Sequence, residues 1–178
     1  MVFIFYLIQL LTPDSLSTSS QKASVESLET FYASGNTRVA GEAERAYRMD
    51  VECLMRIVYN ESTAEPLLGK KLVAQTTVNR VNSGKFPSTV CANMKMRGSY
   101  SFYNPKSKHV DKVRHYPVEY KHIAEKALNG EYSHLISRNV LYFKRCDVSS
   151  SFFNKLVMVT RSGNHCFYRQ TNQLIADN

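Results

Sequence analysis

Glu42–Pro66 reads EAERAYRMDVECLMRIVYNESTAEP. Ala46, Met49, Leu54, Ile57 and Val58 recur at the three-and-four spacing that lines one face of an α-helix, so a helix is expected from Glu42 to Asn60. Pro66 closes that pattern, because its ring disfavours helical geometry at Glu65 and suits the first turn of a new helix. The second helix is expected to run to about Asn82, with Leu72, Val73, Val78 and Val81 as core contacts. Ser83-Gly84-Lys85-Phe86-Pro87 stops it.

Downstream, a short helix is expected over Ser88–Met94. Met94–Lys121 reads as a long surface loop, basic and aromatic. Its Lys95, Arg97, Lys106, Lys108, Lys112, Arg114 and Lys121 interleave with Tyr100, Phe102, Tyr103, Tyr116 and Tyr120. A helix over Val118–Asn129 follows, closed by Gly130. Val140–Phe143, Leu156–Thr160 and Cys166–Arg169 read as short strands, with Ser162-Gly163-Asn164 turning the chain between the last two. Helices first and a small antiparallel sheet later make the fold class α+β.

Upstream, Ser15–Arg38 is rich in Ser, Thr, Glu and Ala. It reads as a linker or loosely attached helix over Val25–Ala33, ended by Ser34-Gly35-Asn36. Val2–Leu11 is an apolar decamer interrupted by Gln9. Ten residues fall short of the roughly 20 that a helix needs to span a bilayer. The length fits the apolar part of a secretory signal, yet no Lys or Arg precedes it. An export signal, an uncleaved anchor and a buried element all stay open. The expected organisation is therefore a signal- or anchor-like segment (1–11), a linker (12–41) and one catalytic domain (42–178).

The chain has 178 residues, 43% apolar and 21% charged, which suits one globular domain with a real core. Lys and Arg outnumber Asp and Glu by 23 to 15, for a net charge of +8. That balance favours an anionic partner without choosing one. Cys53, Cys91, Cys146 and Cys166 permit one or two disulfides, with three pairings if all four are used. For each, a small buried core residue is an equal reading. His109, His115 and His122 are six and seven apart and give no reason to infer a metal, and no cofactor is expected.

Glycan cleavage requires a carboxyl group still protonated when it meets the glycosidic oxygen, and apolar burial raises its pKa. Glu61 ends an apolar helix, with Ile57 and Val58 one turn back and Tyr59 beside it. Taken alone, a Glu at a helix C-terminus is usually a solvated surface residue.

The wider pattern adds to this. Cys53-Leu54, Tyr59-Asn60-Glu61, Glu65-Pro66, Gly69, Asn79-Arg80-Val81, Phe86-Pro87-Ser88-Thr89-Val90-Cys91 and Gly163-Asn164-His165 occur in that order. Together they resemble the SleB-like cell wall hydrolases, the family of spore-cortex-lytic enzymes and related phage lysins. The likeness runs from Cys53 to Arg169. Ser62-Thr63-Ala64 departs from the family's Ala-Arg-Gly, Ser99 stands where Gln is usual, and the chain has no Trp to act as a sugar platform.

The resemblance implies a lysozyme-like helical domain with a small antiparallel sheet or hairpin toward the C-terminus. It implies a lytic transglycosylase that cuts between N-acetylmuramic acid and N-acetylglucosamine, with Glu61 as acid and then base, forming 1,6-anhydromuramic acid. Such chemistry needs no second carboxylate, whereas a hydrolysing glycosidase normally uses a partner about 5–9 Å away. Glu65 is read as a structural residue at the approach to the second helix. Glu61-Ser62 also resembles the Glu-Ser pair of goose-lysozyme-like transglycosylases, although their Gly-Leu-Met-Gln motif is absent.

Tyr59, Asn79, Ser101, Phe102, Tyr142 and His165 are the expected substrate-binding residues, against ordinary structural roles such as a capping Asn or a hydrogen-bonding His. The expected partners are peptidoglycan glycan strands, anionic envelope polymers and, for a phage-encoded member, virion proteins. The expected location is the cell wall or periplasm, or a phage virion or lysis apparatus. The basic aromatic tract has the chemistry of a single-strand binder, but no nucleic-acid motif accompanies it and no nucleic-acid partner is expected. A hydrolytic muramidase or glucosaminidase and a non-catalytic wall-binding or virion component are the alternatives.

Overall fold

The computed structural model describes the backbone of residues 19–103 and 115–171, and side chains from residue 38 onward within those spans. The apolar decamer at 2–11, His109 and the lysines and arginine at 106–114 lie outside the described residues. The chain divides into two compact units between Glu44 and Arg45.

Four α-helices and a three-stranded sheet are described: α1 (Ser19–Ser62), α2 (Leu67–Asn82), α3 (Val90–Lys95), α4 (Val118–Leu128), β1 (Val140–Arg145), β2 (Leu156–Ser162) and β3 (His165–Gln170). None of the described helices is long and apolar enough to cross a membrane. Helical backbone in α1 continues through Ser34-Gly35-Asn36, where the sequence reading ends a helix. Gly and Asn inside a helix cost at most about 1 kcal/mol each relative to Ala, too little to break a long run of helix formers. Ala46 and Met49, expected in the core, are exposed; burial begins at Val51 and continues through Leu54, Ile57 and Val58.

The helix α2 is the centre of the larger unit. Gly69 and every residue from Leu72 to Arg80 are buried, so this helix has no solvated face over its middle turns. It packs against α3, α4 and β1. A helix buried all round must satisfy its polar side chains internally. Asn79 Nδ2 donates to the backbone oxygens of Ser137 (3.0 Å) and Val140 (3.2 Å), and Arg80 Nε donates to Leu141 O at 2.7 Å. The polar edge of α2 thereby holds the start of β1.

The sheet is antiparallel in the order β1-β3-β2. Register places Phe143 opposite Phe167 and Tyr142 opposite Tyr168, with bulges at Val140/Tyr142 and Met158/Thr160. Leu54, Ile57, Val58, Val73, Val90, Val140, Leu141 and Phe167 are fully enclosed. Thr89 caps α3 by accepting from the N–H of Ala92, worth about 1 kcal/mol.

All four cysteines are paired: Cys53–Cys91 ties α1 to α3, and Cys146–Cys166 ties the end of β1 to β3. Sequence spacing alone left three pairings and the unpaired reading open. Their sequence separations are 38 and 20. Chain-entropy arithmetic gives about 4 and 3 kcal/mol respectively. Urea unfolding of Cys53→Ala/Cys91→Ala and Cys146→Ala/Cys166→Ala is expected to show losses of that size, the first pair losing more.

Candidate active site

Glu61 lies in the last turn of α1, one residue from its end. The corner after it is fixed by hydrogen bonds. Ser62 and Thr63 hydroxyls donate back to the carbonyls of Val58 and Tyr59, and Glu65 N–H donates to Ser62 O at 3.0 Å. Pro66 then opens α2. Glu61 is therefore held at a helix end, half-buried, instead of projecting from a continuous helix into solvent.

Ser101 Oγ donates to Glu61 Oε1 at 3.4 Å. Burial pushes the Glu61 carboxyl above its ordinary value. The Ser101 hydrogen bonds and the nearby His165 and Arg80 pull it partly back. Burial wins, so the group keeps its proton to a higher pH than a solvated glutamate does.

Beneath this pair sits a cationic, aromatic floor. Arg80 is buried, and its guanidinium carbon lies 5.2 Å from the Phe86 ring centre, 5.3 Å from Tyr100 and 5.7 Å from Phe143. Tyr100 is buried and its hydroxyl lies 3.0 Å from Thr77 Oγ1 on α2. Phe102 packs 6.0 Å from Tyr100, ring centre to ring centre.

Glu65, four residues after Glu61, has a different environment. Its Oε2 accepts from the backbone N–H of Asn164 at 2.9 Å, and its Oε1 is 3.1 Å from His165 Nδ1. The latter contact lacks the alignment of a hydrogen bond. Both side chains are buried, so Glu65 ties the α1–α2 corner to the β2–β3 hairpin. The hairpin fits closely: Gly163 has φ +56°, and a Cβ there would fall 2.0 Å from Glu65 Oε2 and 2.7 Å from Pro66 Cδ.

Of the seven residues expected from sequence, Glu61, Ser101, Phe102 and His165 share this region, and three are engaged elsewhere. The Tyr59 ring packs edge-on against Tyr116 and Tyr120, 4.9 and 5.1 Å away. It is two residues from Glu61, hence about 200° around the helix. Asn79 is committed to the β1 backbone through both amide hydrogens and accepts from Gln75 Nε2, so no donor is left for a sugar. Tyr142 projects from the opposite face of β1 to Phe143, against Phe86 and Phe152, and its hydroxyl accepts from Gln170. Strand alternation makes Phe143, 5.6 Å from the His165 ring, the residue on the Glu61 side.

Arg80, Tyr100 and Phe143 were missed as site residues. Arg80 had a signal in the sequence: it is the one charge in the run Leu72–Val81. Tyr100 had one too, since Tyr100-Ser101-Phe102 keeps the Phe-Ser-aromatic character of the family resemblance, whereas Phe143 had none beyond aromaticity. Among the described residues, no group of three His, Cys, Asp or Glu is arranged to hold a metal.

A sequence profile of the cell wall hydrolases matches residues 64–168, more than half of the chain. The chain belongs to the cell wall hydrolase family. Glu61 lies three residues ahead of that match. The spore cortex-lytic enzyme of Bacillus cereus is 46% identical over 41 residues, which is 23% of this chain and 16% of that protein. The match thus spans about a sixth of that curated relative's length. The solved catalytic domain of the Bacillus cereus SleB protein superposes with a TM-score of 0.56 at 24% identity, covering 67% of this chain and 89% of that one. That of the germination-specific lytic transglycosylase SleB from Bacillus anthracis gives 0.51 at 27% identity, covering 67% and 93%. The cell wall hydrolase domain is accordingly a lysozyme-like α+β fold, four described helices followed by a small antiparallel sheet.

Two outcomes follow from this geometry. Because Glu61's folded value lies above its unfolded one, the native state keeps a proton that the unfolded chain loses, and stability falls as pH rises through that window. Glu61→Gln removes the burial penalty. Its melting temperature is expected to exceed the wild type's at neutral pH and to match it below the ordinary carboxyl value of 4.5. Gly163→Ala is expected to cost roughly 3 kcal/mol or more in chemical unfolding. Gly130→Ala, with φ +80° but no neighbour within 4 Å, should cost only the left-handed backbone term of about 1–2 kcal/mol.

Proposed function

We propose that this chain cleaves the glycan strand of bacterial peptidoglycan between N-acetylmuramic acid and N-acetylglucosamine, with Glu61 as acid and base. The observation that carries the reading is a half-buried carboxyl at the end of α1, raised by burial and held by Ser101, in a member of the cell wall hydrolase family. A protonated Glu61 gives its proton to the glycosidic oxygen as the bond to the muramyl C1 breaks. The resulting carboxylate takes the proton of the muramyl 6-hydroxyl, whose oxygen bonds C1 and closes the 1,6-anhydro ring. Atoms balance without water.

This lytic route is favoured over hydrolysis by the state of Glu65. A water-using mechanism calls for a second free carboxylate to activate water or attack the sugar. The nearest acidic neighbour in sequence is Glu65, which is occupied by the Asn164 N–H and lies against His165. Two disulfides suit an oxidising compartment, in keeping with action at the wall after export or from a phage particle. The net charge of +8 supports attraction to anionic envelope polymers.

The test is digestion of purified peptidoglycan with the protein and with Glu61→Gln, followed by mass spectrometry of the released muropeptides. Products one water lighter than those of a muramidase are expected. The variant should lose roughly 10²–10⁴-fold in rate, the usual weight of a general acid–base group. Reducing-end products would move the assignment to a hydrolase. Equal rates for both proteins would remove Glu61 from the chemistry.

A further inference from the structure

The two faces of the sheet have unlike surroundings. Phe143 and Phe167 are cross-strand partners on the inner face and join the main core. Tyr142, Tyr168 and Met158 are partners in the other row, on the outer face. An antiparallel sheet covered on one side normally turns polar residues to water on the other. Here the middle of the outer row is aromatic and apolar instead. Phe152 and Phe153, from the segment between β1 and β2, extend it into a chain of rings. Ring centres lie 5.9 Å apart from Phe86 to Tyr142, 5.3 Å from Tyr142 to Phe152, 5.3 Å from Phe152 to Phe153 and 5.0 Å from Phe153 to Tyr168.

A small satellite core beneath that segment accounts for Tyr168, which is buried, and for Phe153, which is half-buried. It does not account for Phe152 and Met158, which are 48% and 56% exposed. Polar groups edge the same rings. Gln170 Nε2 donates to the Tyr142 hydroxyl, which leaves the phenol's own O–H to donate. Lys85, exposed, donates through Nζ to Gln170 Oε1 and has N–H groups left over. Lys144 Nζ stands 5.6 and 5.8 Å from the Phe153 and Tyr168 ring centres. Rings edged by hydroxyl, amide and ammonium groups match a pyranose, whose C–H face is apolar and whose rim carries hydroxyl and acetamido groups. The two ammonium groups complement the carboxylates of the stem peptides that muramic acid carries. A bilayer or a purely apolar partner has no use for that hydrogen-bonding edge.

We propose that the outer face of the sheet, centred on Tyr142 and Phe152, is a second glycan-binding platform that holds a stretch of peptidoglycan strand without cutting it. Tyr142 and Phe143 project to opposite faces of β1, so the platform does not continue the region around His165. Holding one stretch of a polymer raises the effective concentration of neighbouring strand at the catalytic carboxyl. The inference rests on the proposed function for the identity of its ligand, while the exposed rings define its place.

The experiment sediments Glu61→Gln protein with purified insoluble peptidoglycan, so that binding is read without cleavage, and adds Phe152→Tyr or Phe152→Leu in that background. The Tyr variant should bind as the parent does. The Leu variant, apolar but without a ring, should bind roughly tenfold more weakly, the weight of one aromatic contact. Equal binding by all three, or none by any, overturns the proposal. So does tighter binding to phosphatidylglycerol vesicles than to peptidoglycan. Self-association in analytical ultracentrifugation that Phe152→Ser abolishes would give the face to a second copy and overturn it too. The ¹³C methyl signal of Met158 needs no substitution on the platform. It should shift when soluble glycan strands are added to Glu61→Gln protein, and an unmoved signal at saturation overturns the proposal. With Glu61 intact, Phe152→Leu should cleave short soluble glycan fragments at the wild-type rate; a loss there puts Phe152 in the catalytic cleft instead. Ring-dependent binding by a protein that releases no muropeptides would sink the proposed function and leave the platform standing; release of muropeptides with ring-independent binding would do the reverse.

Discussion

The docking of α2 onto the first residues of β1 is the constraint on which the rest of the domain rests. Because α2 is enclosed on every side through its middle, its polar side chains have no water to turn to. The Asn79 amide and Arg80 Nε turn instead to the backbone oxygens at Ser137, Val140 and Leu141. The sheet is thereby fixed to the helical core at one edge strand, and β3 follows through its ladder with β1. The Glu65 contacts with Asn164 and His165 add a second tie, between the β2–β3 hairpin and the corner after α1.

Two carboxylates four residues apart show how context divides identical chemistry. Glu61 sits at a helix end where burial outweighs the groups that favour its charge, and it keeps its proton to a higher pH than a surface glutamate does. Glu65, past the corner, meets a backbone N–H and an imidazole, and its role is to join two segments 99 residues apart in the chain. The proline between α1 and α2 makes the difference. It ends the first helix early enough to part the two side chains, which a continuous helix would have stacked on one face.

Much of this architecture was legible in the sequence, because helix periodicity and Pro-Gly punctuation are local signals. The bounds of α2 and α4 and the positions of the three strands along the chain were readable for that reason. What was not legible was set by tertiary neighbours. Met49 fits the apolar spacing of α1 yet is exposed, since burial on that helix starts only at Val51. Asn79 has the chemistry of a sugar ligand but spends its amide on β1, and Tyr142 is carried to the far face by strand alternation. Arg80 was the opposite case, a charge read as part of a motif whose burial only packing discloses. Glu61, Ser101 and His165, read from segments far apart in the sequence, lie in one region because the fold draws those segments together.

The fit of Gly163 against Glu65 has a consequence for how such domains can be recombined. The carboxylate oxygen fills the volume that any other residue's Cβ would take, so the hairpin tip and the α1–α2 corner are shaped as mating surfaces. A β-hairpin transplanted from another member of the fold would seat here only if it too carried glycine at the position facing Glu65 and Pro66. The two pieces are matched parts, despite the long stretch of chain between them.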